Sequence, residues 1–172
     1  RLSREVGRRI EAERLVQDAH QRLEGINREL VNYVDIVDKY VITSSTDRNG
    51  LITSTSEAFC EISGYSQEEL IGNNHRIVRH EDMPESIYKD LWSTISQGET
   101  WQGEIKNRKK NGDYYWVHAY ISPVCDEYGN ITGYTAIRED ITNKKLAQEL
   151  SITDELTSLF NRRHFNNLFP QE

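Results

Sequence analysis

A turn between two strands is encoded in Lys106-Asn107-Arg108-Lys109-Lys110-Asn111-Gly112-Asp113-Tyr114-Tyr115-Trp116-Val117. The Asn111-Gly112 step suits the positive φ angles of a tight hairpin turn. The segment after this turn is rich in aromatic and β-branched residues, which favour strands. We therefore predict a β-hairpin whose two strands cover residues 101–109 and 114–124.

Further strands are predicted on both sides of this hairpin. Residues 131–137 form a third strand pattern after a turn at Tyr128-Gly129-Asn130. Nearer the N-terminus, the β-rich residues 41–46 and 51–54 flank a second Asn-Gly step at Asn49-Gly50. Since hairpins join antiparallel neighbours, the sequence predicts a five-stranded antiparallel sheet.

Three short helices are predicted between the second and third strands. They cover residues 56–62, 66–70 and 85–97, and they are closed by Gly64, Gly72 and Gly98. Ser66 followed by Glu69 forms a capping box at the start of the second helix. This order of elements predicts an α+β fold in which short helices cover one face of the sheet and leave room for a small molecule.

Residues 1–40 are predicted to form one long helix, because they lack proline and are rich in good helix formers. From residue 16 onward, apolar residues occupy the a and d positions of successive heptads. These positions are Val16, Ala19, Leu23, Ile26, Leu30, Tyr33, Val37 and Tyr40. The pattern predicts a parallel coiled coil that makes a homodimer, with an amphipathic helix packed on its own domain as the alternative. Residues 143–153 return to a helical pattern and are predicted to form a linker helix in the same dimer.

Composition excludes several classes of protein. The 172 residues carry a net charge of −7, which argues against a nucleic-acid binder because phosphate recognition needs a basic face. No apolar run is long enough to span a membrane, so we expect no membrane contact within this segment. Cys60 and Cys125 form no metal-binding pattern, and we expect two reduced thiols in a cytoplasmic protein, with a disulfide as the alternative. Both ends of the chain lead us to expect a longer protein, with an inner-membrane anchor upstream of Arg1 as one option.

The middle segment, residues 41–142, resembles the PAS family of sensory domains in several stretches that occur in the family's order. These stretches are Asp47-Arg48-Asn49-Gly50, Ala58-Phe59 to Gly64-Tyr65, Glu69-Leu70-Ile71-Gly72, Gly103, Lys106 to Gly112, Ile131-Thr132-Gly133-Tyr134 and Asp140-Ile141-Thr142. The resemblance implies a PAS domain over residues 41–142, between a signalling helix at 1–40 and the linker helix at 143–153. In this family the aspartate of the last stretch commonly anchors the outgoing helix to the domain.

The C-terminal residues 154–172 resemble the start of a GGDEF domain, the diguanylate cyclase fold. Asp154-Glu155-Leu156-Thr157-Ser158-Leu159-Phe160-Asn161-Arg162-Arg163-His164-Phe165 fits the family pattern D-x-L-T-x-L-x-N-R-R-x-F. The catalytic signature of that family does not follow in this sequence. We therefore expect this fragment not to be an enzyme, and a longer protein to make cyclic di-GMP.

Two branches of the PAS family allow a comparison residue by residue. Photosensory LOV domains carry G-x-N-C-R-F-L-Q, whereas Gly72 to Arg79 has the same framework with His75 in place of the reactive cysteine. Because an imidazole cannot make that thiol adduct, LOV photochemistry is not expected. The chain also resembles the PAS domain of aerotaxis receptors, which hold FAD. Its flavin-associated positions match Arg79, His80, Asp82, Trp92 and Asn107.

The resemblance therefore implies FAD as the cofactor, with Asn107 on the ring edge, Trp92 packed against the ring and Arg79 at the diphosphate. A structural role remains open for each residue: Arg79, His80 and Asp82 as a hydrogen-bonded loop, and Trp92, Trp101 and Trp116 as core. Haem is not expected, since His75, His80 and His118 are isolated histidines. No other metal site and no catalytic constellation is found in the sequence. The functional alternative is a ligand-free PAS domain that only dimerises and relays a signal.

Overall fold

The computed structural model describes residues 2–152, which divide into two compact units at Tyr40 and Val41. The first unit is helix α1 (Leu2–Tyr40), a single helix of 39 residues. The predicted cyclase segment, residues 154–172, lies outside the described residues. No helix among the described residues is long and apolar enough to cross a membrane.

The second unit is built on the predicted five-stranded antiparallel sheet. Its strands are β1 (Ile42–Asp47), β2 (Ile52–Thr55), β3 (Trp101–Arg108), β4 (Tyr114–Cys125) and β5 (Ile131–Asp140). Their order in the sheet is β2-β1-β5-β4-β3, so the first and last strands lie side by side. The α+β architecture predicted from the sequence is confirmed.

Strand β5 extends three residues beyond its predicted end at Ile137. Its last residues, Arg138, Glu139 and Asp140, pair with β4, and Arg138 also pairs with Ile42 of β1. Three charged residues in succession do not show the hydrophobic pattern of a strand, whereas pairing with β4, and for Arg138 also with β1, determines where β5 ends.

Helices cover one face of this sheet. They are α2 (Glu57–Ser63), α3 (Gln67–Leu70), a 3₁₀ helix (His75–Val78) and α4 (Glu85–Ser96), and α5 (Thr142–Ile152) follows the last strand. The capping box of Ser66 and Glu69 forms as predicted, and Gly64 ends α2 in the left-handed conformation. The sequence did not predict the 3₁₀ helix, because four residues are too few to show helical periodicity. Asn74 caps it by accepting a hydrogen bond from the Arg76 backbone.

Two groups of buried side chains fill the space between helices and sheet. Phe59 and Leu70 pack with strands β1 and β2, while Leu91 and Ile95 of α4 pack on strands β3 and β4. Each large apolar side chain buried in this way contributes about 1.5–3 kcal/mol. These packing contacts hold α4 and the 3₁₀ helix over the inner face of the sheet.

Candidate ligand-binding site

A cavity of about 650 Å³ lies between the sheet, the 3₁₀ helix and α4. This volume is typical of sites that bind small molecules. Its apolar wall consists of Val78, Leu91, Ile95, Ile105 and Ile121. The cavity therefore offers a largely apolar enclosure to a ring-shaped ligand.

Positive charge is concentrated around this cavity. The lining cations are Arg48, Arg76, Arg79, Lys89 and Arg138, whereas Glu85 is the only carboxylate among the lining residues. The chain as a whole carries a net charge of −7, so the excess is local. Such a lining favours a ligand with negative charge or with many hydrogen-bond acceptors.

Arg138 occupies the buried end of the cavity and is only 8% exposed. Its guanidinium donates a hydrogen bond to Ser44 Oγ at 3.0 Å and lies 3.5 Å from His75 Nε2. No carboxylate of the described residues forms an ion pair with it. Burial lowers the pKa of Arg138 to about 10, so the side chain stays charged at neutral pH.

His75 adjoins Arg138 and is uncharged. Its Nε2 lies 2.9 Å from Ser44 Oγ. Because a guanidinium has donors only, Arg138 requires Nε2 to be the unprotonated, accepting nitrogen. Burial, followed by the positive charge of Arg138, lowers the pKa of His75 to about 3. His75 is half-buried, and part of its surface borders the cavity.

Asn107 and Tyr115 face each other across strands β3 and β4 near the same end of the cavity. Asn107 lines the cavity and is 6% exposed. The Tyr115 hydroxyl is buried next to Asn107, but no hydrogen bond of ordinary geometry satisfies it. Burial raises the pKa of Tyr115, so its hydroxyl remains protonated. Asn107 is thus placed to meet the polar edge of an enclosed ligand.

Arg79 lines the cavity next to α4. Its guanidinium carbon lies 3.7 Å from the ring centroid of Tyr88, and this cation–π contact holds the guanidinium group against the ring. The backbone of Arg79 also bridges to Asn107 of β3. Burial raises the pKa of Tyr88, whose hydroxyl has no hydrogen-bond partner of ordinary geometry. This wall therefore holds both the guanidinium of Arg79 and the unsatisfied hydroxyl of Tyr88.

Trp92 is the one tryptophan that lines the cavity, and it is 38% exposed. Its ring meets Tyr134 edge to face, with centroids 5.5 Å apart. Gly50 of the first turn has a φ of +79°, and a Cβ there would lie 3.0 Å from the Trp92 ring. Glycine at this turn therefore allows the indole to close one side of the cavity.

His80 and Asp82 are not among the lining residues. The Asp82 backbone N–H donates to His80 Nδ1 at 3.1 Å, and Lys106 Nζ lies 2.6 Å from Asp82 Oδ2. The hydrogen bond from Lys106 lowers the pKa of Asp82. This is the geometry of a hydrogen-bonded loop before α4, which was the structural alternative for these two residues. Their predicted role in cofactor binding stays a prediction.

The remaining aromatic and histidine candidates lie elsewhere. Trp101 is 6% exposed and donates its indole N–H to Asp90 Oδ2 at 2.8 Å, as a core residue does. Trp116 packs under Lys145, and the His118 ring lies tilted against that of Tyr120, with centroids 4.9 Å apart. Among the described residues, no group of three His, Cys, Asp or Glu side chains is arranged to hold a metal ion, and Cys60 and Cys125 are free thiols.

Sequence reasoning did not identify Arg138 and Ser44 as cavity residues, and it considered His75 only as a replaced cysteine and an isolated histidine. One indication of Arg138 was present in the sequence. Alternation along β5 places it on the same face as Tyr134 and Ala136, which are both buried. A charged residue at an inward position of a strand indicates a functional site.

The junction between β5 and α5, at the C-terminal end of the domain, is hydrogen-bonded to the sheet. The backbone N–H of Thr142, at the start of α5, donates to Asp140 Oδ1 at 2.9 Å. The Thr142 hydroxyl accepts a hydrogen bond from the backbone N–H of Trp116 in β4 at 3.0 Å. Lys145 of α5 forms an ion pair with Glu104 of β3 and thereby lowers the pKa of Glu104. The first turn of α5 is therefore attached to β3, to β4 and to the end of β5.

Comparison with known proteins agrees with this architecture. The family model for the PAS fold matches residues 52–138. The chain is 43% identical over 112 residues to the aerotaxis receptor of Escherichia coli (strain K12), which covers 65% of this chain and 22% of that protein. It is 34% identical over 102 residues to the nitrogen fixation regulatory protein of Klebsiella pneumoniae, with coverages of 59% and 21%.

Among solved structures, the PAS domain of a protein from Colwellia psychrerythraea superposes with a TM-score of 0.60 at 27% identity, covering 69% of this chain and 98% of that one. The chain spans about a fifth of the length of the two curated relatives named above. The sheet, the covering helices and the family match over residues 52–138 all agree. This chain therefore belongs to the PAS fold family and contains a sensory domain of the kind found in signalling proteins.

Proposed function

We propose that this PAS domain binds FAD in the cavity and passes the state of the flavin through α5 to a C-terminal diguanylate cyclase within a homodimer. The observation that carries the proposal is the cavity itself, an apolar enclosure lined by five cations and a single carboxylate. A PAS domain that only dimerises and relays a signal has no need of such a lining.

The residues present fit the parts of FAD. Apolar side chains of α4 and of the sheet suit the faces of an isoalloxazine ring, and Asn107 suits its polar edge. Arg79, expected at the diphosphate, also lines the cavity, and the exposed Arg48 and Arg76 add two further guanidinium groups that suit this part of FAD. Bound FAD supplies reversible electron transfer, which allows a change in redox conditions to alter the charge inside the cavity. The similarity to an aerotaxis receptor supports the same ligand.

Strand β5 connects the cavity to the start of α5, at the C-terminal end of the domain. Arg138 lines the cavity, and Asp140, two residues further along the strand, accepts the hydrogen bonds of Thr142. A change in ligand charge shifts Arg138, and the strand transmits this shift to the first turn of α5. A coupling of about 1–3 kcal/mol between the two sites is enough for regulation.

The proposed output is cyclic di-GMP synthesis. It rests on residues 154–165, which resemble the start of a GGDEF domain. In a longer protein that contains this chain, we expect conversion of GTP to cyclic di-GMP at a rate that depends on the oxidation state of the flavin. We expect Asp140→Ala to remove that dependence, and an unchanged response would exclude the junction as the relay. We expect the domain to lie in the cytoplasm.

Absorption spectroscopy tests the ligand directly. The protein, purified with added FAD and freed of excess by gel filtration, is expected to show the visible bands of an oxidised flavin at close to one FAD per chain. We expect Trp92→Phe to weaken FAD binding, because the smaller ring removes part of the wall and leaves the cavity larger than the ligand needs. Trp116→Phe is the matched control, since Trp116 does not line the cavity. A colourless protein after this treatment would reject FAD, and a Soret band would indicate haem instead.

A further inference from the structure

The buried end of the cavity contains a cation that the domain itself does not neutralise. Arg138 has two polar contacts, to Ser44 Oγ at 3.0 Å and to His75 Nε2 at 3.5 Å. A guanidinium carries five N–H groups, and Arg138 forms no further side-chain hydrogen bond with the described residues. Ser44 and His75 are both neutral, so neither provides a negative charge to balance Arg138.

The aromatic neighbours do not provide this charge either. The Phe59 ring centroid lies 5.1 Å from the guanidinium carbon of Arg138, and Phe59 has no ionisable group. The Tyr115 hydroxyl remains protonated because burial raises its pKa. Asp140 is exposed, and it accepts its hydrogen bonds from Thr142. Arginine is rarely buried in proteins without a paired carboxylate, and an unpaired charge there is unfavourable.

We infer that Arg138 is the recognition group for the electron-rich edge of the ligand, an edge that carries carbonyl oxygens, unprotonated ring nitrogens or an anionic group. This inference rests on the proposed ligand-binding function of the cavity and specifies the chemistry at its buried end. Ser44 and the neutral His75 fix the guanidinium without neutralising it. In FAD the acceptor edge of the ring has this chemistry, and Asn107 adjoins the same end.

The first test uses ligand-free protein and does not depend on the identity of the ligand. If Arg138 is an unpaired cation kept for binding, Arg138→Met removes an unfavourable buried charge and raises the Tm by at least roughly 2 °C. Arg138→Lys keeps the charge and leaves the Tm at or below that of the wild type. An unchanged Tm for Arg138→Met would overturn the inference, and a lower one would show in addition that Arg138 stabilises the pairing of β5 with β1.

The second test measures FAD affinity by quenching of flavin fluorescence. We expect Arg138→Met to weaken binding by roughly 10- to 100-fold, as loss of a charged hydrogen bond does, and Arg138→Lys to retain part of the affinity. Equal affinities of the wild type and Arg138→Met would overturn the inference even if FAD binds. If the wild type takes up no FAD, the proposed cofactor is rejected, and the melting data alone decide the role of Arg138.

A matched control separates the buried cation from the exposed ones. Arg48→Met removes the same charge from an exposed position of the cavity lining. Because salt screens exposed charges and screens buried ones much less, we expect Arg48→Met to weaken FAD binding only at low ionic strength. The effect of Arg138→Met is expected at low and at high salt alike. An effect of Arg138→Met that vanishes in high salt would contradict a direct contact at the buried end.

Discussion

The half-buried imidazole of His75 makes part of the stability of this domain depend on pH. Burial and the charge of Arg138 lower its pKa from 6.5 to about 3. Below pH 6.5 the unfolded chain therefore binds a proton that the folded domain does not bind. The stabilisation is present above the unfolded pKa and is lost progressively as the pH falls from 6.5 towards 3.

We expect His75 to account for a loss of roughly 1.4 kcal/mol in the free energy of unfolding between pH 7.5 and pH 5.5. Urea denaturation at the two pH values measures this loss, which should disappear in His75→Gln. The carboxylates with a lowered pKa titrate below this interval and do not contribute; they are Asp47, Glu69, Asp82, Glu104 and Asp126. His118→Gln, outside the cavity, is the control and should keep the wild-type loss. The same loss in His75→Gln would refute a neutral, buried imidazole.

The candidate site was predictable only in part, and the reason lies in sequence separation. Asn107, Trp92 and Arg79 were expected to bind the cofactor and line the cavity, and their role in binding stays a prediction. Arg138 and Ser44 are 94 positions apart, and strand order alone brings them together. A sequence pattern shows which face of β5 Arg138 lies on. It does not show that no carboxylate of the described residues pairs with this arginine, which is what distinguishes it from a structural one.

At the scale of elements, the turns and caps were the most predictable features. Asn-Gly steps, the Ser66–Glu69 capping box and the closing glycines each act through local backbone geometry, so a few adjacent residues determine them. The end of β5 and the 3₁₀ helix depend instead on pairing and packing with distant segments. These two elements were therefore mispredicted or missed.

The attachment of α5 provides a prediction at this scale. The Thr142 hydroxyl connects the first turn of α5 to β4 through the Trp116 backbone and to Asp140. Thr142→Val keeps the shape of the side chain but removes both bonds, which contribute about 1–2 kcal/mol together. We expect amide hydrogen exchange in residues 143–150 to accelerate roughly 5- to 30-fold, as measured by mass spectrometry.

Thr142→Ser is the control for this prediction, because it keeps the hydroxyl and should exchange like the wild type. Equal exchange rates in Thr142→Val and the wild type would show that the ion pair of Lys145 with Glu104 is sufficient to hold the helix. Thr142→Val keeps the hydrogen bond from the Thr142 backbone N–H to Asp140, so the comparison measures the contribution of the hydroxyl.

At the scale of the whole molecule, the apolar stripe of α1 indicates a dimer. Along its heptads Val16, Leu23, Ile26 and Leu30 are between 58% and 69% exposed. A long helix with such a stripe needs a partner surface, because isolated helices gain most of their stability from packing of the apolar face. A second copy of α1 in parallel register offers a matching stripe at every a and d position.

We therefore expect Leu23→Asp to shift the protein from dimer to monomer in sedimentation velocity, because it places a charge at an a position of the coiled coil. Leu30→Asp, one heptad later, should have the same effect. Gln21→Asp adds an equal charge at an f position, which faces solvent in a coiled coil, and should remain a dimer. If Leu23→Asp sediments like the wild type, α1 does not form the dimer, and a relay through paired helices loses its basis. If Leu23→Asp and Leu30→Asp dissociate and Gln21→Asp does not, the heptads of α1 hold the two chains together, as the proposed control of a dimeric cyclase requires.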